Sequence, residues 1–468
     1  MRPTITWRDQ TTIRNEFAMS KLSRITPKIC LAVIATMLAA GGAFAQDDER
    51  AERDAQKTKQ AQAVSKEVYD KIQKAQEQVD AKDYQGALRA LNSLYNPDKL
   101  TEYEQANVLN YIGFVYYNIE DIPNAIRTYE KMVAIPSLEP QMGKQTMYTL
   151  AQLYTMEENY QKALDTLDRW FAMETNPAPE PFILKAQNLY QLQRYQEMIK
   201  PIENAMRVAR ERDKPVKEDW YVLLNFAYFQ EEDYSQVRDI QKILLTNWPK
   251  KRYWFSLAGA YTELGEDNNL IASYGAAHDQ GMLEKESELV TMAQLYMQAE
   301  VPYKAATLLE KEMESGRVSK NAKNYRLLSQ AWMLSMEDER AIPALKEAAQ
   351  LSDDGELDVR LGNTYLNLGN YDECINAVQT GLRKGGLKNA DNAQISLGMC
   401  LYNKRRYQNA IEAFRAASKT PRSRKIAQQW ISVINADIER NEQIRLAQEA
   451  ANKKRKEVEA RREQADRV

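Results

Sequence analysis

The feature that most restricts how this chain folds is a pattern that recurs ten times between residues 66 and 421. Each copy has a mostly small residue inside an apolar segment, and successive copies lie 33 to 39 residues apart. A second, mostly small position recurs in the segment that follows. The first positions are Ala75, Gly113, Ala151, Ala186, Asn225, Ala258, Ala293, Ser329, Gly362 and Gly398. The second positions are Ala87, Ala125, Ala163, Met198, Val237, Leu270, Ala305, Ala341, Cys374 and Ala410.

This pattern predicts paired helices. A small residue on each of two helices lets their backbones approach, and large apolar residues at helical spacing fill the seam between them. A single hairpin cannot bury its own apolar face, so neighbouring hairpins must stack. We therefore predict an all-α protein, an α-solenoid of about ten helical hairpins over residues 66–421, wound as a right-handed superhelix.

The best-defined copies match a known motif. The matching residues are Trp254 to Tyr261 with Leu270, Tyr274 and Ala277, and Leu397-Gly398 with Tyr407, Ala410, Phe414, Ala417 and Pro421. They resemble the tetratricopeptide repeat, which has W-x2-L-G-x2-Y on helix A and A-x3-F-x2-A on helix B, often with a closing Pro. The resemblance implies a solenoid whose inner groove is lined by the A helices.

Composition and motifs argue against an enzyme. The chain has 17 Gly and 15 Pro in 468 residues, too few for collagen or a turn-rich β architecture. His278 is the single histidine, which excludes His triads and multi-His metal sites within the chain. No P-loop, G-x-S-x-G, Cys-x-x-Cys or H-E-x-x-H motif occurs. We expect no catalytic residues, no metal and no cofactor. These absences argue against the alternative hypothesis that the chain is an enzyme, such as a cell-wall hydrolase.

The N-terminus has the pattern of an export signal. Three basic residues follow Met19, the segment Ile29 to Ala45 carries no charge, and Ala-Phe-Ala precedes Gln46. We predict a signal peptide in residues 1–45, with Met19 as a candidate true start. The alternative is an uncleaved membrane anchor, for which the uncharged run is short. Without the leader the chain has a net charge of -6, which gives no reason to expect nucleic acid as a partner.

The segments that flank the repeats differ from them in composition. Residues 46–65 are polar and lack aromatic residues, which is typical of a flexible spacer. Residues 422–438 place Ile426, Trp430 and Ile434 at helical spacing, so we predict a capping helix over the tenth repeat. Residues 439–468 are rich in both charges and have almost no apolar face. We interpret them as a charged helical or disordered tail, with a basic docking tail as the alternative.

Two of the three cysteines lie inside the repeats. Cys374 and Cys400 fall in adjacent repeats, at positions where a small buried residue fits. An oxidising compartment would let them form a disulfide. Because sequence does not give the distance between them, we expect two buried thiols and keep the disulfide as the alternative.

The predicted binding surface is the groove lined by the A helices. Asn and Gln both donate and accept hydrogen bonds, which suits a peptide backbone, and aromatic rings supply rigid contact area. An extended protein segment is therefore the expected ligand, although some of these aromatics could instead pack against a neighbouring helix. The candidate partner-binding residues are Asn110, Phe114, Tyr117, Asn118, Tyr148, Gln152, Gln187, Tyr190, Phe226, Phe229, Phe255, Gln294, Met297 and Gln298.

Several strings resemble one particular group of proteins. They include Leu109 to Tyr117, Pro249-Lys250-Lys251 before Trp254, Tyr303 to Ala306, Leu351 to Leu357, Gly385 to Lys388 and Arg422 to Lys425. Together they are similar to exported tetratricopeptide proteins of Gram-negative bacteria described as components of the TonB system. The resemblance implies a periplasmic adaptor that contacts TonB, ExbB, ExbD or a TonB-dependent receptor, and that meets a membrane only through these partners. The alternative is a scaffold for outer-membrane protein or cell-envelope assembly.

Overall fold

The computed structural model describes residues 64–465. The predicted signal peptide and nearly all of the predicted spacer lie outside the described residues. Within them the chain forms twenty-one α-helices and no strand, so the all-α prediction is confirmed. Twenty of the helices form ten consecutive hairpins between Lys66 and Ser418, each with a helix A and a helix B.

The chain divides after Trp248 into two compact units. The first unit contains five hairpins. Its helices are α1 (Lys66–Asp80), α2 (Tyr84–Leu94), α3 (Glu102–Asn118), α4 (Ile122–Val133), α5 (Pro140–Met156), α6 (Tyr160–Met173), α7 (Pro179–Gln191), α8 (Tyr195–Glu211), α9 (Glu218–Gln230) and α10 (Tyr234–Asn247).

The second unit contains the other five hairpins and a final long helix. Its helices are α11 (Lys251–Glu263), α12 (Asp267–Asp279), α13 (Glu286–Gln298), α14 (Pro302–Glu314), α15 (Ala322–Leu334), α16 (Asp338–Gln350), α17 (Glu356–Asn367), α18 (Tyr371–Lys384), α19 (Ala390–Asn403), α20 (Tyr407–Ser418) and α21 (Pro421–Ala465).

The recurring small positions lie where the two helices of each hairpin meet. All twenty of them are buried, including the off-consensus Asn225, Met198 and Val237. The packing is close enough to require glycine at some of them. A Cβ on Gly398 would lie 2.7 Å from Phe414 Cζ of the same hairpin, and one on Gly113 would lie 2.6 Å from Tyr129 Cζ. The predicted α-solenoid of hairpins is therefore confirmed at the level of its repeating unit.

The turn between helix A and helix B has the same backbone conformation in every hairpin. The residue seven positions after the helix-A small residue has positive φ throughout. These residues are Lys82, Glu120, Glu158, Gln193, Glu232, Gly265, Glu300, Met336, Gly369 and Arg405. A left-handed residue at this point ends a helix and satisfies its last carbonyls. Helix B then begins two residues later, at Tyr84, Ile122, Tyr160 and their equivalents.

The C-terminal helix α21 is longer and more continuous than predicted. The segments that we expected to be separate, 422–438 and 439–468, belong to one helix that runs from Pro421 to Ala465. Its first part packs on the tenth hairpin through the buried residues Ser423, Ala427 and Ile434. From residue 441 to residue 459 its side chains are exposed. Ion pairs along the helix, such as Arg455 with Glu459 at 3.0 Å, replace the missing apolar face.

Candidate functional site

The candidate site is the set of predicted contact positions on each helix A, outside the buried seam with its own helix B, which we call the A-helix stripe. On α3 the seam side is buried through Leu109, Ile112 and Gly113. Asn110, Phe114, Tyr117 and Asn118 lie at other positions around that helix and keep part of their surface.

The predicted contact residues divide into three classes of exposure. Asn118, Phe229 and Gln298 are exposed, and Phe226 is buried. The half-buried members are Asn110, Phe114, Tyr117, Tyr148, Gln152, Gln187, Tyr190, Phe255, Gln294 and Met297. The stripe is therefore accessible along most of its predicted positions, and each unit contains its own part of it.

Phe226 has a different role from the one predicted. Its side chain is only 7% exposed, and its ring contacts Tyr190 at 5.2 Å and Tyr195 at 5.4 Å between ring centroids. Both tyrosines belong to the preceding hairpin, so Phe226 packs in the joint between the fourth and fifth hairpins. Burial raises the pKa of the Tyr190 hydroxyl above its ordinary value. Phe226 leaves little surface for a partner.

Other aromatic residues of the stripe are held by rings of their own hairpin. Tyr148 lies 5.4 Å from Trp170, and Phe255 meets Tyr274 edge-on at 5.6 Å. Phe229 contacts Tyr234 at 6.0 Å and keeps 36% of its surface exposed. Such contacts fix the orientation of a ring before a partner arrives, which lowers the entropic cost of binding.

A row of amide side chains runs along one edge of the stripe in each unit. The position five residues after the helix-A small residue is an exposed Asn or Gln in six hairpins. These residues are Asn118, Gln191, Gln230, Gln298, Asn367 and Asn403. Asn118 donates to the Phe114 carbonyl at 2.7 Å and Asn403 to the Met399 carbonyl at 2.8 Å.

Each of these local hydrogen bonds uses one of the two N–H donors of the amide and leaves the carboxamide oxygen as an acceptor for a partner. Gln191, Gln230, Asn367 and Asn403 are not among the candidate partner-binding residues of the sequence analysis. The fixed offset from the small residue could have identified all four.

The two cysteines of the repeats form a disulfide. Cys374 on α18 is bonded to Cys400 on α19, with a Cα–Cα distance of 6.2 Å. The expectation of two free thiols is wrong, because the small helix-B position of the ninth hairpin faces helix A of the tenth hairpin. Both cysteines are fully buried, as predicted.

The described residues offer no site for a metal and no membrane-spanning helix. Among residues 64–459, no three His, Cys, Asp or Glu side chains come together in a group that could hold a metal ion. Within the described part of the chain, none of the helices is both long enough and apolar enough to cross a membrane.

Comparison with known proteins identifies the repeat type. Residues 359–423, which span α17 to α20, match the sequence model of the tetratricopeptide repeat family. Residues 359–423 carry tetratricopeptide repeats. No curated protein matches the sequence.

Solved structures of tetratricopeptide repeat proteins are similar to parts of this chain. A tetratricopeptide repeat protein from Parabacteroides merdae is 16% identical over 62% of this chain and 94% of its own, with a TM-score of 0.33. The TPR2AB domain of yeast Sti1, solved as a complex with pHSP90, is 14% identical over 56% of this chain and 98% of its own, with a TM-score of 0.32. YrrB, described as having an unusual peptide-binding site, is 18% identical over 40% of this chain and 95% of its own, with a TM-score of 0.33.

Proposed function

We propose that this tetratricopeptide repeat protein is a non-enzymatic scaffold that binds a protein segment along its A-helix stripe. The observation that carries the proposal is the combination of exposed amides with pre-oriented aromatic rings on one face of successive helices. In the fifth hairpin, Phe229 and Gln230 are adjacent and both exposed. An amide can pair with a peptide backbone whatever its sequence, and an aromatic ring adds apolar contact area.

We further propose that the protein works in the periplasm. The leader sequence in residues 1–45 supports export. The buried Cys374–Cys400 disulfide supports it independently, because such bonds persist in oxidising compartments and are rare in the cytosol.

The association with TonB, ExbB, ExbD or a TonB-dependent receptor follows from the family resemblance of the sequence strings alone. Scaffolding of outer-membrane protein or envelope assembly is the second candidate, which uses the same stripe for a different client.

The compartment can be tested on the cysteines. Cells are quenched in acid, and the protein is unfolded in denaturant so that its buried cysteines become accessible. Free thiols are then labelled with a large maleimide before and after reduction. We expect Cys374 and Cys400 to react only after reduction. Labelling of both residues without reduction, in protein that has lost its leader, would contradict the proposed location.

The partner can be tested with the purified chain lacking its leader. Titration with the periplasmic segments of TonB and ExbD is compared for the wild type and a Phe229→Ala/Gln230→Ala variant. We expect binding to weaken by about 1–2 kcal/mol, as for typical interface residues. The matched control is Ile243→Ala, which removes a 39% exposed apolar side chain from helix B of the same hairpin. Equal affinities for the wild type and the stripe variant would contradict the proposed face.

A deletion strain distinguishes the two client classes. Loss of TonB-dependent uptake with normal amounts of outer-membrane barrels supports the TonB association. Loss of the barrels themselves supports envelope assembly and contradicts the TonB association.

A further inference from the structure

The A-helix stripe of the eighth hairpin differs from the others in charge. On α15 the exposed face is formed by Lys323, Arg326, Gln330 and Leu334. Neither basic residue forms a salt bridge among the described residues, in contrast to Arg340, which pairs with Glu310 at 2.8 Å. The corresponding face of α13 has Ser287, Gln294 and Gln298 and no charge.

The carboxylate of Glu286 lies near Lys323 and accepts hydrogen bonds from other side chains. Glu286 accepts hydrogen bonds from Ser319 Oγ at 2.6 Å and from Asn324 Nδ2 at 2.7 Å. These two bonds are the main reason that the pKa of Glu286 is lowered, and the charge of Lys323 contributes less. Lys323 is exposed and forms no salt bridge with Glu286 among the described residues, so its ammonium group can meet an anionic group from outside.

The other end of the same helix is apolar and exposed. Leu334 is 57% exposed and Met336 is 90% exposed. Met336 has a φ of 60°, at a turn position that carries a charged residue, Gln or Gly in the other nine hairpins. A large apolar side chain that is exposed to water at this turn is not stabilised by burial, which marks the position as a candidate contact for a partner.

The apolar end rests on a rigid base. The Arg340 guanidinium lies 3.6 Å from the centroid of the Trp332 ring and donates to Glu310 at 2.8 Å. Tyr303 from the preceding hairpin packs against Trp332 at 5.5 Å. These contacts hold the end of α15 in one geometry, so Leu334 and Met336 are presented on a fixed surface.

From this arrangement we infer that the stripe of α15 binds an acidic segment of a protein partner, with carboxylates at Lys323 and Arg326 and a large apolar residue at Leu334 and Met336. Eleven residues separate Lys323 from Leu334, which is about 16 Å along a helix. An extended chain covers that length in about five residues. The partner segment therefore has one or two Asp or Glu residues about five positions from a Leu, Ile, Met or aromatic residue.

Charge complementarity selects this class of partner. Lys323 and Arg326 place two positive charges on one exposed helix face, in a chain whose net charge without the leader is -6. At this face the two residues attract carboxylates and repel a basic segment. The inference rests on the proposed scaffold function and names the chemistry of one client at that same stripe.

The test uses fluorescein-labelled synthetic peptides and the purified chain without its leader. The first peptide has two Glu residues followed by a Gly/Ser spacer and a Leu about five positions away. A second peptide replaces Glu with Lys, and a third replaces Leu with Ala. We expect fluorescence anisotropy to show binding of the first peptide about tenfold or more tighter than the other two, and to weaken as salt is raised.

Variants of the protein locate the binding. Lys323→Glu/Arg326→Glu should weaken the acidic peptide about tenfold or more, and Lys323→Gln/Arg326→Gln should weaken it less. Lys311→Glu, on the exposed side of α14, is the matched control and should have no effect. Equal binding of the acidic and basic peptides, or wild-type affinity in the charge-reversed variant, would overturn the inference. If a natural partner still needs Phe229 and Gln230 for binding, that result leaves the scaffold proposal intact. If neither the charge variants nor the Phe229→Ala/Gln230→Ala variant weakens binding, both proposals are rejected.

Discussion

Asp391, in the first turn of α19, accepts hydrogen bonds on both carboxylate oxygens from the guanidinium of Arg422, at the start of α21. The Nε to Oδ2 distance is 2.7 Å, and Ser423 Oγ donates to the same oxygen at 2.5 Å. This network joins the long C-terminal helix to the last hairpin. Two parallel hydrogen bonds between Arg and a carboxylate fix geometry better than a single contact does, so the network sets where α21 begins its path over the repeats.

We predict that Asp391→Asn loosens the docking of α21 at neutral pH. The hydrogen bonds from Arg422 and Ser423 hold the pKa of the Asp391 carboxyl well below its usual range. A group whose pKa is lowered by folding stabilises the folded state above its unfolded pKa of about 3.9, and that contribution is lost as the pH falls through the folded value. Amide hydrogen exchange in residues 423–438 should become about tenfold faster in the variant at pH 7.

The difference between Asp391→Asn and the wild type should shrink as the pH falls below the usual pKa of an aspartate. Arg445→Gln is the control. Within the described residues Arg445 forms salt bridges only with Glu442 and Glu449, which lie on the same exposed helix. A variant with unchanged exchange at pH 7, or with an effect that persists in strong acid, would show that the network does not dock the helix.

The close contact at Gly398 predicts a large cost for a single methyl group. Gly398→Ala would place its Cβ 2.7 Å from Phe414 Cζ, so a fully buried ring must move. We expect a loss of about 1–3 kcal/mol in the free energy of unfolding. Gly259→Ala is the matched control, since nothing lies within 4 Å of its Cβ inside α11 and Ala favours a helix by up to about 1 kcal/mol. Thermal unfolding of the two variants should therefore shift in opposite directions, and a shift in the same direction would contradict the packing.

The left-handed turn residues predict where glycine stabilises the protein. Glu158 has a φ of 57°, a conformation in which a side chain is strained and glycine is not. Glu158→Gly should raise the free energy of unfolding by about 0.5–1 kcal/mol. Glu157→Gly, one residue earlier at a φ of -83°, should bring no gain. Urea titrations of both variants measure the difference, and equal effects at the two positions would argue against the turn conformation.

The disulfide predicts that the ninth and tenth hairpins depend on oxidation. Closing a loop between residues 26 positions apart stabilises a protein by about 3 kcal/mol in the chain-entropy account. Reduction should lower the unfolding temperature of the wild type and leave a Cys374→Ala/Cys400→Ala variant unaffected. Ala fits the position of Cys374, because six equivalent helix-B positions already hold Ala. A wild type that unfolds identically with and without reductant would show that the bond adds no stability.

The sequence predicts the hairpins because each one is specified locally. A small residue, an apolar seam and a turn seven residues later lie within one short stretch of chain, as at Ala151 and Glu158. The disulfide and the burial of Phe226 depend instead on contacts between hairpins. Phe226 occupies the same repeat position as Gln152, and it is buried because Tyr190 and Tyr195 of the preceding hairpin reach it.

The long helix and the charged stripe show a second limit of sequence reasoning. The charged segment after residue 438 lacks an apolar face, so its helix is held by pairs such as Arg445 with Glu449, which composition alone does not distinguish from a disordered tail. The exposure of Lys323 and Leu334 on one face of α15 also depends on which side of the helix its neighbours cover.

The central claim is that a protein segment binds the A-helix stripe, and photocrosslinking in living cells tests it most directly. A photoreactive amino acid is placed at Phe229 on the stripe of the fifth hairpin, or at Ile243 on helix B of the same hairpin, and crosslinked proteins are identified by mass spectrometry. We predict that one protein, from the TonB complex or its receptors, is captured from position 229 and not from position 243. Capture from position 243 alone, or the same proteins in the same amounts from both positions, would contradict the account.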